Sequence, residues 1–308
     1  MPPDSWIIAE DYAGLQAQAL GLAERAGLAP TLRVLTPARP WSMFPAAIWP
    51  APLRAVGLAG AQAPPLVIGV GGVAAAVGAA LRTGGRRVVH VQHPRMDIGR
   101  FDLVVVNTHD LLTGPNVIVT RTALHRVTPE RLAAAAAAWA PRLAHLRRPL
   151  LGVLIGGSNG RFRLDLPTAG LLAAQLAGLA RGGIGVALTP SRRTDPAVRD
   201  LLAREIGAAG GYVWDMQGDN PYFGLLGLAD ALLVSMDSVS MISEAVATGA
   251  PVMLARLPGR SRRIGDFIDG LVRADRVRWF DGRLVDWKVA PLDDTDMAAA
   301  ALRQRLGF

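Results

Sequence analysis

The chain contains no cysteine among its 308 residues. Disulfides, thiolate metal sites and thiol nucleophiles are therefore excluded, and a reducing compartment is compatible with the sequence. Any chemistry must come from oxygen and nitrogen groups. Lysine is almost absent too: Lys288 is the only one, so the net charge of +8 rests on arginine. Guanidinium forks suit phosphates and carboxylates, and such a charge admits a nucleotide, an anionic membrane surface or nucleic acid as partner. An Ala-, Gly- and Arg-rich composition can equally reflect coding bias. Long apolar runs are also missing. The stretch Leu66 to Leu81 is Gly-rich and about sixteen residues long, short of the roughly twenty that span a bilayer. Asp4, Glu10 and Asp11 around the first apolar run are unlike a basic secretory signal. The expectation is a cytoplasmic protein, with peripheral attachment to an inner membrane as the alternative. No HExxH or similar spacing occurs, and no metal site is expected.

What is present is a repeated alternation of short apolar strands with helical patterns. Trp6 to Ala9, Leu32 to Leu35, PLVIGVGG, RRVVHVQHP, FDLVVVNTHD and NVIVTRTALH read as six strands within about 145 residues, which describes an open, mostly parallel sheet wound on both faces. A long Ala-rich helix is expected from Pro129 to Leu146. LRRP at Leu146 to Pro149 then restarts the pattern. The predicted architecture is α/β, with two doubly wound Rossmann-like domains, residues 1–147 and 148–308, and an interdomain cleft. The final helix, Asp294 to Leu306, is expected to pack back on the first domain. Between the second and third strands lies PARPWSMFPAAIWPAP, dense in proline and aromatic residues. Its Trp41, Met43, Phe44, Ile48 and Trp49 either cover the domain core or present a membrane or lipid-acceptor surface.

The second half holds the strongest signal. GDNPYFGLLGLADALLVSMDSVSMISEAVATGAP, from Gly218 to Pro251, reads as a short helix, a buried strand from Ala231 to Ser235, a polar turn and a second helix starting near Ser238 or Ser240. A helix that opens after a parallel strand presents free N–H groups and the positive end of its dipole to an anion. GGSNGRF follows an earlier apolar strand, and its two adjacent glycines would let backbone N–H groups approach a diphosphate closely, although it lacks both GxGxxG spacing and the Lys-Ser/Thr of a P-loop. TPSRRT follows the next strand and sets Ser191, Arg192 and Arg193 at a similar exit. Parallel strands of one sheet would bring these three exits to one pocket. Glu244, one turn into the helix, could accept both hydroxyls of a ribose, or simply be solvated, or cap against Ser240.

For acid–base work the histidines matter most. His109, beside Asp110 at a strand exit, and His93 in the HPR turn are the best placed, and Asp11 is a third candidate base.

These segments together resemble one family. GDNPYFGLLGLADALLVSMDSVSMISEAVATGAPV, GGSN, TPSRRT, GLQAQALGLAERAG and FDLVVVNTHD with NVIVTRTALHRV are similar to the mitochondrial-fission elongated-mitochondria (ELM1-like) family, in its bacterial branch. After its leading glycine the first helix has Leu15 and Gln16 where an Asn-Gln pair is expected. The resemblance implies the GT-B fold, and SEAVATGAPV is similar to the helix start of nucleotide-sugar-dependent transferases, which would place Glu244 on ribose. On that basis the expected function is a metal-independent glycosyltransferase that takes a nucleoside diphosphate sugar as substrate, needs no cofactor and serves an envelope or lipid-linked acceptor. A catalytically silent membrane-associated scaffold and a nucleotide-sugar epimerase are the alternatives, and nucleic acid is not an expected partner. The donor-binding candidates are Gly156, Gly157, Ser158, Asn159, Ser191, Arg192, Arg193, Asn220, Ser238, Ser240, Met241 and Glu244. His109, His93 and Asp11 are the catalytic candidates.

Overall fold

A computed structural model describes residues 3–308. The chain divides into two compact units, one running to Arg126 and taking back Asp293–Phe308, the other Val127–Leu292.

In the first unit β1 (Ser5–Ala9) leads into α1 (Ala13–Arg25), then β2 (Thr31–Val34) and α2 (Pro52–Ala55). β3 (Leu66–Val70), α3 (Gly72–Leu81), β4 (Arg87–Val91), β5 (Leu103–Asn107) and β6 (Val117–Thr120) follow. The strands form a six-stranded sheet in the order β2-β1-β3-β4-β5-β6, with parallel neighbours. The central strands are runs of Val, Ile and Leu buried on both faces, as parallel sheets covered by helices require. Ile7, Ile68, Val89 and Val105 pack on the α1 side, Ile8, Val67, Val88 and Val104 on the α3 side.

The second unit opens with α4 (Pro129–Trp139), followed by β7 (Leu150–Ile155), α5 (Leu166–Arg181), β8 (Gly185–Pro190), α6 (Pro196–Ala208) and β9 (Tyr212–Val213). Then come α7 (Tyr222–Leu228), β10 (Ala231–Ser235), α8 (Val239–Val246), β11 (Val252–Ala255), α9 (Arg262–Arg273) and β12 (Val277–Trp279). This sheet is parallel as well, in the order β12-β11-β10-β7-β8-β9. The helix expected to reach Leu146 stops at Trp139. Pro141 explains the early end, because its ring cannot follow the preceding turn of a helix. The last helix, α10 (Thr295–Leu306), belongs to the first unit, where it packs on α1. Arg25 pairs there with Asp293 at 3.2 Å, and Arg121 with Asp294 at 2.5 Å.

Among the described residues no helix is long and apolar enough to cross a membrane.

Candidate functional site

β10, β7 and β8 are neighbours in the second sheet, so their carboxyl ends deliver three loops side by side. The loops are locked together around one carboxylate. Asp237, its side chain fully buried, accepts from Ser235 Oγ at 2.6 Å, from the Gly157 amide at 3.3 Å and from Arg193 Nη2 at 2.7 Å. Ser235 Oγ accepts in turn from the Gly156 amide at 2.7 Å. On the other side the Gly156 carbonyl accepts from Ser191 Oγ at 2.9 Å and from Thr194 Oγ1. Each loop thus holds the other two by charge-assisted or buried hydrogen bonds.

This geometry gives the two glycines a reason different from the one read in sequence. A Cβ on Gly156 would collide with the Asp237 carboxylate, and one on Gly157 with the Arg193 carbonyl. Their amides donate inward, to Ser235 and Asp237, rather than facing a ligand. Ser158 and Asn159 shape the same loop: Ser158 Oγ accepts from the Leu164 amide at 2.9 Å, and Asn159 Oδ1 from the amides of Arg161 and Phe162 at 2.9 and 3.0 Å. The two arginines, equivalent in sequence, also separate. Arg193 is tied to Asp237 and to the Gly157 carbonyl. Arg192 is exposed and has no partner among the described residues, so its guanidinium faces solvent.

α8 is capped at Ser238, whose Oγ accepts from the Met241 amide at 3.4 Å. Ser240 and Met241 are half-buried in its first turn. Glu244 is neither solvated nor a cap: it is buried, and Tyr222 of α7 donates its hydroxyl to Oε2. Burial pushes the Glu244 carboxyl up to about 7, with the Tyr222 hydrogen bond opposing part of that rise. Burial first, and the adjacent Glu244 second, hold the Tyr222 hydroxyl well above its ordinary range. At the other end of α8, Arg276 reaches the carbonyls of Val246, Thr248 and Ala250 at 2.9, 2.7 and 3.2 Å. Burial lowers this guanidinium to about 10, and its charge complements the negative end of the helix dipole.

A cavity of about 370 Å3 opens at the exit of β9, lined by Trp139, Arg142, Tyr212, Trp214 and the 215–219 loop. Arg142 stacks on Trp139 at 4.6 Å and pairs with Asp219 at 3.1 Å. Trp214 donates its indole N–H to the Gln217 carbonyl at 2.8 Å, which holds the loop. Asn220 continues the loop, its Oδ1 accepting from Thr189 Oγ1 at 3.2 Å and from the Tyr222 amide at 2.9 Å. Sequence reasoning missed this cavity, and it placed Asp237 in the turn before α8 without its role as the buried link between the loops. Trp214 and Asp237 had local signals, as an aromatic and a carboxylate at strand exits. Trp139 had none, since it lies far from them along the chain.

In the first unit the catalytic candidates sit at three separate exits. Asp11 follows β1 and accepts from Gln16 Nε2 at 3.5 Å. His93 follows β4, its Nδ1 accepting from the Arg95 amide at 2.9 Å. His109 follows β5 in a 3-10 turn closed by a reciprocal Asn107–Asp110 capping box. His90 is buried with its ring 5.2 Å from that of Phe101, and burial first, then the neighbouring His93, push it down to about 3.

Residues 13–306 match the protein family described as mitochondrial fission ELM1. The chain is 35% identical over 248 residues to the Arabidopsis thaliana mitochondrial fission protein ELM1, covering 71% of this chain and 58% of that protein. It therefore spans less than two thirds of that curated relative. Among solved structures it superposes on S. aureus MnaA in complex with UDP, with a TM-score of 0.56, 12% identity and coverage of 97% and 87%. Acinetobacter baumannii MurG gives a TM-score of 0.55, 13% identity and coverage of 99% and 92%. At that identity the likeness is one of fold, the two Rossmann-like units of GT-B proteins.

Proposed function

Because the chain belongs to the mitochondrial fission ELM1 family and has the fold of GT-B glycosyltransferases and epimerases, we propose that it is a metal-independent glycosyltransferase using a nucleoside diphosphate sugar. The observation that carries this reading is the convergence of the β7, β8 and β10 exits on Asp237, beside the start of α8. Three loops fixed to one another make a preorganised cradle, and preorganised positive groups are what a departing diphosphate needs. Arg192, the first turn of α8 and the Ser158–Asn159 segment hold the diphosphate. Glu244, presented by Tyr222, takes the ribose. The aromatic cavity at Trp214 has the size and lining of a site for a planar base. His109, His93 or Asp11 supplies the base for the acceptor.

Thermal shift with the full chain tests this reading. At about 100-fold excess over Kd, a uridine diphosphate or its sugar should stabilise the protein by about 2.7 kcal/mol, a rise of several degrees in Tm. Glu244→Ala should lose that rise. No response to any nucleoside diphosphate would sink the enzyme reading.

That outcome would favour the second reading, a membrane-associated scaffold, and one feature of the first unit supports an acceptor or partner at a lipid surface. Between β2 and α2 the chain makes two 3-10 turns, Trp41–Met43 and Ala46–Ile48. Trp49 is buried and donates to the Phe44 carbonyl at 3.1 Å, anchoring the segment. Met43, Phe44 and Ile48 are left 73%, 53% and 67% exposed. No Asp or Glu occurs from residue 26 to residue 96, while Arg39 and Arg54 flank the turns. Flotation with anionic vesicles is expected to carry the protein, and Phe44→Ser with Ile48→Ser to reduce binding about tenfold. Unchanged flotation of the double variant would remove the loop from that role.

A further inference from the structure

The loop after β7 and the loop after β11 are joined by a short antiparallel contact. Phe162 and Gly259 form a bridge, framed by the Arg163 amide donating to the Pro258 carbonyl at 2.8 Å and the Arg260 amide donating to the Arg161 carbonyl at 3.1 Å. Gly259 has a φ of 134°, and a Cβ there would collide with the Arg161 carbonyl, so only glycine lets the two backbones close. β10 lies between β7 and β11 in the sheet. The contact therefore passes across the carboxyl end of β10, the strand that leads to Asp237 and α8.

Phe162 is buried in the core under α5, whereas Arg161 beside it is exposed to solvent. The two framing hydrogen bonds put Arg161 directly opposite Arg260, a cross-strand pair with Cβ atoms about 5 Å apart. Both are exposed. Arg161 has Ser261 Oγ at 3.5 Å as a neutral partner, and Arg260 has no side-chain partner among the described residues. Adjacent arginines differ: Arg163 lies 3.6 Å from Asp165, and Arg262 lies 3.8 Å from Asp266. Two facing guanidinium groups without a carboxylate repel each other. An anion reached by both forks reverses the sign.

The order of strands gives the anion its place. Along the carboxyl edge the aromatic cavity lies at β9, Arg192 at β8, the glycine loop at β7, and the Arg161–Arg260 pair on the β11 side. If the base lies at β9 and the diphosphate at the middle loops, the group beyond the diphosphate meets the arginine pair. Resting on the donor reading above, we infer that Arg161 and Arg260 bind a carboxylate on the sugar itself, so that the donor is a nucleoside diphosphate linked to an acidic sugar rather than to a neutral hexose.

Calorimetric titration of the full chain with UDP, UDP-glucose and UDP-glucuronic acid tests this. The acidic donor should bind about tenfold or more tightly than UDP-glucose, the scale of one charge-assisted hydrogen-bond pair. Arg161→Gln or Arg260→Gln should remove that preference and leave UDP affinity unchanged. Equal affinity of the native protein for the two sugar nucleotides would overturn the inference. If no uridine, guanosine, cytidine, thymidine or adenosine diphosphate binds, the donor reading itself fails, and inorganic phosphate at constant ionic strength decides the arginine pair. A Tm rise with phosphate that Arg260→Gln abolishes would keep an anion site there without the sugar, and no rise would remove the site altogether.

Discussion

Replacing Asp237 with alanine is expected to lower the unfolding free energy by about 3 kcal/mol and to abolish nucleotide binding in the same variant. The size follows from what the carboxylate holds. Its side chain is fully buried, while its partner Arg193 keeps 41% of its side chain exposed. Removal therefore does not strand a fully buried cation. Arg193 can turn to water, and this keeps the estimate at the low end for a broken buried pair. What cannot turn to water are Ser235 Oγ and the Gly157 amide, both buried and both losing an acceptor. Each unsatisfied group adds about 1 to 3 kcal/mol. Urea unfolding with an unchanged m-value measures the loss, and a cost below about 1 kcal/mol would show that the loops hold without their hub. Ser235→Ala, which leaves Asp237 on Arg193 and Gly157, should cost less.

The second large effect is a dependence of stability on pH set by Glu244. Its carboxyl is raised from 4.5 to about 7, first by burial. A raised native value means that the folded state binds the proton more tightly than the unfolded chain does. This contribution to stability is therefore complete below about pH 4.5 and is lost as pH rises through 7, the reverse of a salt-bridged carboxylate. A shift of that size corresponds to about 3 kcal/mol. Glu244→Gln keeps an acceptor for the Tyr222 hydroxyl and carries no charge, so its unfolding free energy should be flatter between pH 5 and 8 and should exceed the native value at pH 8. Parallel pH profiles for the two proteins would mean that Glu244 is ionised in the fold without penalty. A ligand that donates two hydroxyls to this group would favour the ionised form, so nucleotide affinity should also strengthen as pH rises through 7.

Much of the scaffold around this site could be read from residues alone. Leu150 to Ile155, Gly185 to Pro190 and Ala231 to Ser235 are apolar runs ended by glycine or polar residues, and such runs become buried parallel strands wherever helices alternate with them. The start of α8 was legible to within two residues, at Ser238 or Ser240, and Ser238 is the one that caps it, accepting from the Met241 amide. Interactions between loops were not legible. Nothing local distinguishes Arg192 from Arg193, because which one meets Asp237 depends on the path of a loop more than forty residues away. The roles of Gly156 and Gly157 were misread for the same reason: a missing Cβ can serve a ligand or a neighbouring side chain, and only the neighbour's position decides. Glu244 was legible as important but not as buried, since the Tyr222 that covers it comes from the preceding helix. Trp139 closes its cavity from a helix that sequence patterning extended past its true end.

Arg276 has a consequence for anyone who would cut or graft this chain. All the residues assigned to the donor lie before it, between Trp139 and Arg260, the aromatic cavity included, so a fragment ending at Ala274 would look complete on paper. Such a fragment would nonetheless lack the cation that closes the carbonyl end of α8 and the short outermost strand that follows it. Three backbone carbonyls would be left to water, and the helix whose first turn faces the ligand would be free to fray from its far end. The smallest transplantable version of this site therefore has to run through β12, even though nothing in that strand need ever touch a ligand.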